Sequence, residues 1–520
     1  MASGEVFVAL FAVATAVAII IRWLKVPYTV ALVATGLVLG TTHTLEPPHL
    51  SKELLYSLFL PGLLYEAAFH LEFKDFWKNK LAVHSLAIPG VIAAIGLTAI
   101  ILTPIANALK FVEGFSWQHG LVFAALIAAT DPIAVVGLFK TLGAPKRLAI
   151  LVEGESLLND GTAIVFFTMI LGVVASGTFS IANVVMDFIK VVGMGLLIGG
   201  AIGYSISKII QKIDDPLIEI TLTVISAYGS FAAAEHFHFS GVIATVVAGM
   251  LSGSYAARTG MSPSTRIAVE AFWEYSAFAF NSVIFLLIGF EVSLGTLLAS
   301  WKPIVAAFLI VIIARAIVVY GASAALRPTK EAVPWKWGVI LTWGGLRGSL
   351  SMVLALGLAA DFPHRELIIN MTFGVVILSI IVQGLTMSPL LYKLGILGAE
   401  EGQKTYEIER ANARAASAAL KEVERMVKDR AAHIDLLEKL KEEYKNKLEK
   451  AEKIIRDLHI ETNQLREDEL RTARRHLILV EKDAVMQAFH NGFIGQEALD
   501  KILSDLNLEL LTVEESETSH

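Results

Sequence analysis

The sequence predicts an all-α polytopic membrane protein with a water-soluble helical tail, and three observations carry that prediction. Of 520 residues, 55% are apolar and 18% charged, with a mean hydropathy of +0.62. That is too little charge to cover the roughly three soluble domains this length would otherwise suggest. The charge is also unevenly placed: residues 1–399 hold 22 acids and 23 bases, whereas residues 400–520 hold 27 acids and 20 bases. Finally, apolar runs near the ~20 residues needed to cross a bilayer recur from the start and stop near residue 395. A transmembrane domain over 1–398 and a cytoplasmic helical tail over 399–520 follow. The net charge of −6 arises almost wholly in the tail, which gives no reason to expect nucleic acid as a partner. With no cysteine, disulfides, thiolate metal sites and cysteine nucleophiles are excluded.

Thirteen spans are read in order, near residues 5–24, 28–43, 54–72, 80–109, 118–140, 147–175, 181–207, 216–235, 240–256, 267–291, 302–326, 336–359 and 366–395. The first is expected to be retained rather than cleaved as a signal, because its head carries Glu5 and its bases, Arg22 and Lys25, follow the apolar run. Lysine and arginine gather on the cytoplasmic side of membrane proteins. Fifteen of them, among them Lys74, Lys146, Arg147, Lys208 and Arg327, fall in odd-numbered connections, against four, Lys52, Lys110, Lys302 and Arg365, in even-numbered ones. The N-terminus is therefore expected outside and the tail inside.

An odd number of spans permits two inverted six-helix repeats, 1–6 and 8–13, joined by the seventh. At corresponding positions span 5 is interrupted by Ala129-Thr130-Asp131-Pro132 and span 12 by Gly344-Gly345-Leu346-Arg347-Gly348. Matching interruptions in inverted repeats point to a transporter with its site at the midplane, although proline and glycine are frequent in membrane helices generally. In the tail, Leu437, Leu440, Tyr444, Ala451, Ile454 and Leu458 keep approximate heptad spacing, spoiled by Lys447, as in a short coiled coil or amphipathic bundle. Asn491-Gly492 breaks this pattern, and Gln496 to Leu508 reads as another short helix.

Ionisable residues inside membrane spans are costly and mark function by default. The densest group is in span 6: Glu153, Glu155, Ser156, Asn159 and Asp160. Helical spacing puts Ser156 and Asp160 on one stripe with Glu153, and Glu155 with Asn159 on the next. One stripe can face an ion while the other anchors the helix. Asp160 follows Arg147 by 13 residues, about 20 Å along a helix and well inside a core about 30 Å thick. Asn159-Asp160-Gly161 also fits a turn between two short helices. Asp131 and Arg347 sit near the middle of their own runs, so three charges meet the midplane from spans 5, 6 and 12. Arg347 needs a carboxylate, and Glu155 is the expected partner, since that pairing leaves Asp160 without a fixed cation and free to exchange a proton. A hard monovalent cation takes oxygen ligands, which Asp160, Ser156, Asp131 and carbonyls freed at the Asp131-Pro132 break supply. Arg315 in span 11 has no assigned partner. Glu270, Glu274 and Asn281 in span 10 fit packing or helix-end roles, or the lining of a cytoplasmic funnel.

Thr130-Asp131-Pro132, EGESLLNDG at 153–161, GGLRG at 344–348 and PGLLYEAAF around Glu66 resemble the monovalent cation/proton antiporters of the NhaP and NHE type, over about residues 5–395. The resemblance implies a secondary transporter, not an enzyme, that exchanges Na⁺, and also Li⁺, for H⁺ by an elevator-type alternating-access movement. It implies a homodimer among the lipids of the plasma (inner) membrane, with spans 1–3 and 7–10 at the interface and spans 4–6 and 11–13 as the moving core, and no cofactor besides the transported ions. Asp160 then carries cation or proton in competition. Ser156, Glu66 and the Thr130 carbonyl complete the Na⁺ site, while Asn159, Glu155 and Arg347 support it. Asn159 stands where electrogenic relatives have a second aspartate, which implies electroneutral, one-for-one exchange. The tail resembles no regulatory region of the animal exchangers. The alternative within the fold is a K⁺/H⁺ antiporter. From another class, Asp131 and Asp160 would be the dyad of an intramembrane aspartyl protease, but the Gly-x-Gly-Asp pattern is missing and Arg347 has no role there. A channel would be marked by ion flux without proton coupling.

Overall fold

A bilayer core offers no water to backbone N–H and C=O groups, so a chain that crosses it folds into helices or a closed barrel. The computed structural model describes residues 3–24, 28–42, 55–177, 180–291, 294–396, 401–428, 434–457 and, with gaps, 473–515. Lys25, Lys52, Leu458, Asn491-Gly492 and the 398/399 boundary lie outside the described residues. Among the described residues every regular element is helical. The chain divides into two compact units, residues 1–394 and 395–520.

In the first unit, α1 (Ser3–Leu24), α2 (Tyr28–Thr41), α3 (Leu60–His70, preceded by a π turn at Leu55–Phe59) and the short α4 (Phe73–Lys78) come first. α5 (Lys80–Ala87) and α6 (Pro89–Ala108) are separated only at Ile88, because Pro89 has no N–H for the helical ladder and its ring crowds the preceding turn. α7 (Trp117–Leu126) and α8 (Ile133–Leu142) flank a non-helical stretch at 127–132. By contrast, α9 (Lys146–Ser176) runs unbroken through Asn159-Asp160-Gly161, so the turn that these residues also fitted does not form. There follow α10 (Ile181–Ile210), α11 (Pro216–His236), α12 (Gly241–Leu251, continued as π turns to Gly260), α13 (Pro263–Glu291), α14 (Leu294–Ala299) and α15 (Trp301–Leu326). α16 (Trp335–Trp343) and α17 (Ser349–Leu356) flank a second non-helical stretch at 344–348, and α18 (Arg365–Leu378) passes through a π turn into α19 (Gly384–Lys393).

Seven of the described helices are long and apolar enough to cross a membrane, by length and composition. The pieces beside the two breaks are not: they have 10, 10, 9 and 8 residues, or about 15 Å at most. Lipid tails are as apolar as leucine, so helices in a membrane associate by close packing, which small residues permit. Where α2 crosses α13, a Cβ on Gly36 would collide with the Leu286 carbonyl and one on Gly289 with that of Val33. Gly199 of α10 lies against Ala244 of α12 in the same way, and Gly253 lies against the Phe69 carbonyl of α3. Around this seam the Tyr65 and Trp273 rings meet at a tilt of 40° with centres 4.7 Å apart, and the Trp273 indole donates to Thr223 Oγ1 at 3.0 Å.

In the second unit, Glu401–Lys428 packs against Ile434–Asp457, with Lys441 Nζ 3.2 Å from Glu424. Leu437 and Ala451 are buried but Leu440 is 40% exposed, so the buried stripe takes in only part of the heptad. A third described helix is Gln496–Glu515.

The glycine crossing of α2 and α13 is expected to set stability. Gly36→Leu or Gly289→Leu should destabilise by about 1–3 kcal/mol through overpacking, seen as a lower melting temperature of the solubilised protein. Gly96→Leu, where an added Cβ meets nothing within 4 Å, should melt close to wild type.

Candidate functional site

A helix that stops within a membrane leaves its last carbonyls without donors, and α7 stops at Leu126. Three side chains meet the carbonyls beyond it. Asn159 Nδ2 donates to Ala128 O at 3.1 Å and to Thr130 Oγ1 at 3.0 Å. Ser156 Oγ donates to Thr130 O. Arg347 Nη1 donates to Ala128 O at 2.8 Å and to Ala129 O at 3.2 Å. The two breaks also bond to each other, through the Asp131 N–H and Leu346 O at 2.8 Å. Gly348 permits this approach, because a Cβ there would overlap the Asp131 side chain. The Arg347 N–H donates to Ser379 Oγ at 3.0 Å, which ties the second break to the π turn after α18.

The expected Glu155 to Arg347 pair does not form. Glu155 is instead held by both Nη atoms of Arg315, at 3.1 and 2.8 Å. The reason lies in the end of α7: carbonyls at a helix C-terminus carry partial negative charge, so Arg347 finds its counter-charge in backbone and Glu155 is left to Arg315. Arg315 also donates from Nε to Leu341 O at 3.0 Å, which satisfies a carbonyl at the end of α16. Gly345 lies bare above it, since a Cβ would overlap the guanidinium. The sequence placed Arg315 within a span, but hydrophobic periodicity does not say which neighbour that span packs on.

Asp160, Ser156, Thr130, Asp131 and Glu66 line one cavity of about 310 Å³. Asp131 Oδ1 accepts the Ile133 N–H at 3.0 Å, in the first turn of α8, where helix N–H groups favour an anion. Glu155, Asn159 and Arg347 do not face this cavity; with Arg315 they line a separate space of about 20 Å³. Asn281 of α13 lines the large cavity, whereas Glu270 pairs with Arg266 at 2.7 Å along α13. Also on the wall is His70, which the sequence reading did not single out. Its Nδ1 is 3.2 Å from Glu66 Oε1 and its Nε2 is 3.9 Å from Glu274 Oε1. The available signal was the i, i+4 spacing of Glu66 and His70.

Chemically, the wall offers carboxylate, hydroxyl and carbonyl oxygens, which suit a hard cation. Among the described residues no three acids or histidines converge as a chelating metal centre would require.

Residues 8–393 match a family described as sodium/hydrogen exchanger, transmembrane. The chain belongs to that family. It is 36% identical to the Na⁺/H⁺ antiporter ApNhaP of Aphanothece halophytica, over 94% of this chain and 92% of that protein. It is 35% identical to the Na⁺/H⁺ antiporter NhaG of Bacillus atrophaeus, over 94% and 93% of the two chains. The structure of the sodium proton antiporter MjNhaP1 from Methanocaldococcus jannaschii at pH 8 superposes with a TM-score of 0.62 over 75% of this chain and 98% of that one, at 24% identity. That likeness is one of fold. Membership places this exchanger-family chain among integral membrane transporters rather than enzymes, and the aspartyl protease reading falls.

Removing one partner of a buried ion pair strands the other charge and costs about 3–5 kcal/mol. Glu155→Ala and Arg315→Ala should each lower the melting temperature strongly, and the double variant should lose clearly less than the sum. The same cycle with Arg347→Ala in place of Arg315→Ala should show a smaller coupling.

Proposed function

We propose that this chain exchanges Na⁺, and also Li⁺, for H⁺ one for one, with cation and proton competing for Asp160. One observation carries this reading. Asp160 lines the cavity with Ser156, Thr130, Asp131 and Glu66, while Glu155, Arg315 and Arg347 behind it are engaged with one another or with backbone carbonyls. Asp160 then keeps its charge for the cargo. A proton arriving on it removes the main attraction for Na⁺, and Na⁺ arriving on it excludes the proton. Asn159 uses its amide as a donor to Ala128 O and Thr130 Oγ1, so the position beside Asp160 contributes no second negative charge. The relatives named as Na⁺/H⁺ antiporters favour sodium over the K⁺/H⁺ alternative.

The wider arrangement belongs to the same proposal. Thirteen crossings form two inverted six-helix repeats, with the N-terminus outside, the tail of 399–520 in the cytoplasm as a regulatory module, and the chain in the plasma membrane serving pH homeostasis. Spans 1–3 and 7–10 form a homodimer interface, and spans 4–6 and 11–13 carry the site past it as an elevator. The small-residue seam of α2, α3, α10, α12 and α13 supports this division, since it packs the interface spans on one another.

Asp160→Asn keeps the side-chain volume and removes the charge for which the two ions compete. Purified and reconstituted, it should fold and show no Na⁺-driven proton flux; flux near the wild-type rate would end the carrier assignment.

Stoichiometry is tested with voltage. If one carboxylate serves both ions, each cycle moves no net charge, and a potential of 100 mV, worth about 2.3 kcal/mol per net charge moved, should leave the equilibrium unshifted. With the potential clamped by K⁺ and valinomycin, the Na⁺ gradient at which proton flux vanishes should be independent of voltage. A shift of that null point would mean that Asp131 or Glu66 titrates as well.

A further inference from the structure

The α3 side of the cavity has its own arrangement of side chains. Glu66 lies one turn from the C-terminal end of α3, and His70 is the last residue of that helix. The His70 ring nitrogen Nδ1 is 3.0 Å from the Glu66 carbonyl oxygen and 3.2 Å from Glu66 Oε1. Both neighbours are acceptors, so Nδ1 carries the hydrogen and divides it between them. The ring is fixed in turn by its surroundings. Phe69 meets it edge-on, with centres 5.7 Å apart, and Nε2 faces Glu274 Oε1 of α13 at 3.9 Å.

One of these contacts is local helix geometry: the ring leans back on the carbonyl four residues earlier, as His84 also does on Lys80 O at 2.7 Å. The other is not required by the helix. A glutamate side chain on a cavity wall has three rotatable bonds, and ordering it costs entropy that a cation would otherwise have to supply on binding. Glu66 and His70 are both partly shielded, with 24% and 28% of their side chains exposed, so the bond between them is less screened than a surface contact.

We propose that His70 is a positioning residue for cation binding: its Nδ1–H holds Glu66 Oε1 against α3 so that the second carboxylate oxygen is presented to the cavity in one orientation. Glu274, 69% exposed, steadies the ring and contributes less. This inference rests on the reading of Glu66 as a cation ligand and names the residue that makes it an ordered one. His70 itself does not touch the cation.

The test uses the full-length protein in proteoliposomes, with Na⁺-driven proton flux measured against Na⁺ concentration. His70→Ala should raise the KM for Na⁺ by about tenfold, the weight of one well-placed hydrogen bond, with the maximal rate changed less than twofold. His70→Asn, which retains a short donor at the same place, should recover most of the wild-type KM. In a Glu66→Gln background, itself raised in KM, His70→Ala should add nothing further. A merely structural helix cap would lower the melting temperature and the maximal rate and leave KM alone, and that pattern overturns the proposal. So does a KM effect of His70→Ala that persists in full on Glu66→Gln, because His70 would then act by another route. If Glu66→Gln leaves KM unchanged while Asp160→Asn abolishes flux, Glu66 is not a ligand and this inference falls without the carrier assignment. If Asp160→Asn retains flux, the carrier assignment fails on its own.

Discussion

Opening a helix inside a membrane frees carbonyl groups that lipid cannot satisfy, and the rest of the site follows from how this chain satisfies them. At the end of α7 the carbonyls of residues 128–130 are met by Asn159, Ser156 and Arg347, and the Asp131 N–H is paired with Leu346 O across the crossing of the two breaks. Each of these donors comes from another element. The breaks are therefore held by α9, by the π turn after α18 and by each other, and not by their own helices. A continuous α9 is a precondition, because only an unbroken helix keeps Ser156 and Asn159 in register with the carbonyls of residues 130 and 128.

This arrangement settles where the charges go. A guanidinium buried to 5% exposure at Arg347 would be prohibitive alone, but the end of a half-helix supplies dipole and lone pairs together. Glu155 is in consequence available to Arg315, whose remaining donor satisfies the end of α16. Two cations and one anion are thereby engaged away from the large cavity. Asp160 and Asp131 remain on its wall, neither of them held by a guanidinium, and Asp131 is steadied by the Ile133 N–H.

The α3 side of the cavity is built differently. α3 and α12 meet through glycines that let backbones touch, and Tyr65 of α3 packs on Trp273 of α13. Close backbone contact of this kind allows no relative sliding without collisions, so α3 forms a firm wall that carries Glu66 and His70. Backbone repair on one side and tight helix packing on the other give a cavity whose two faces are independently rigid.

Much of this was legible in the sequence. Hydropathy alone marks the membrane-embedded region and the polar tail, since the cost of burying charge in lipid leaves little choice of composition. The i, i+4 pattern in span 6 separates Ser156 and Asp160 from Glu155 and Asn159, because a helix converts spacing into faces regardless of its neighbours. The breaks at Asp131-Pro132 and at Gly344 to Gly348 were visible as residues that interrupt a helical ladder. The partner of Glu155 was not: Arg347 and Arg315 are equally good counter-charges by type, and the choice depends on which span packs beside which and on the direction in which α7 ends. His70 was missed because a histidine at a helix end has no fixed meaning until the opposing helix brings Glu274 to its other side. Spacing along one helix is set by the chain itself, whereas the pairing of groups from separate helices is decided only when packing fixes their distances.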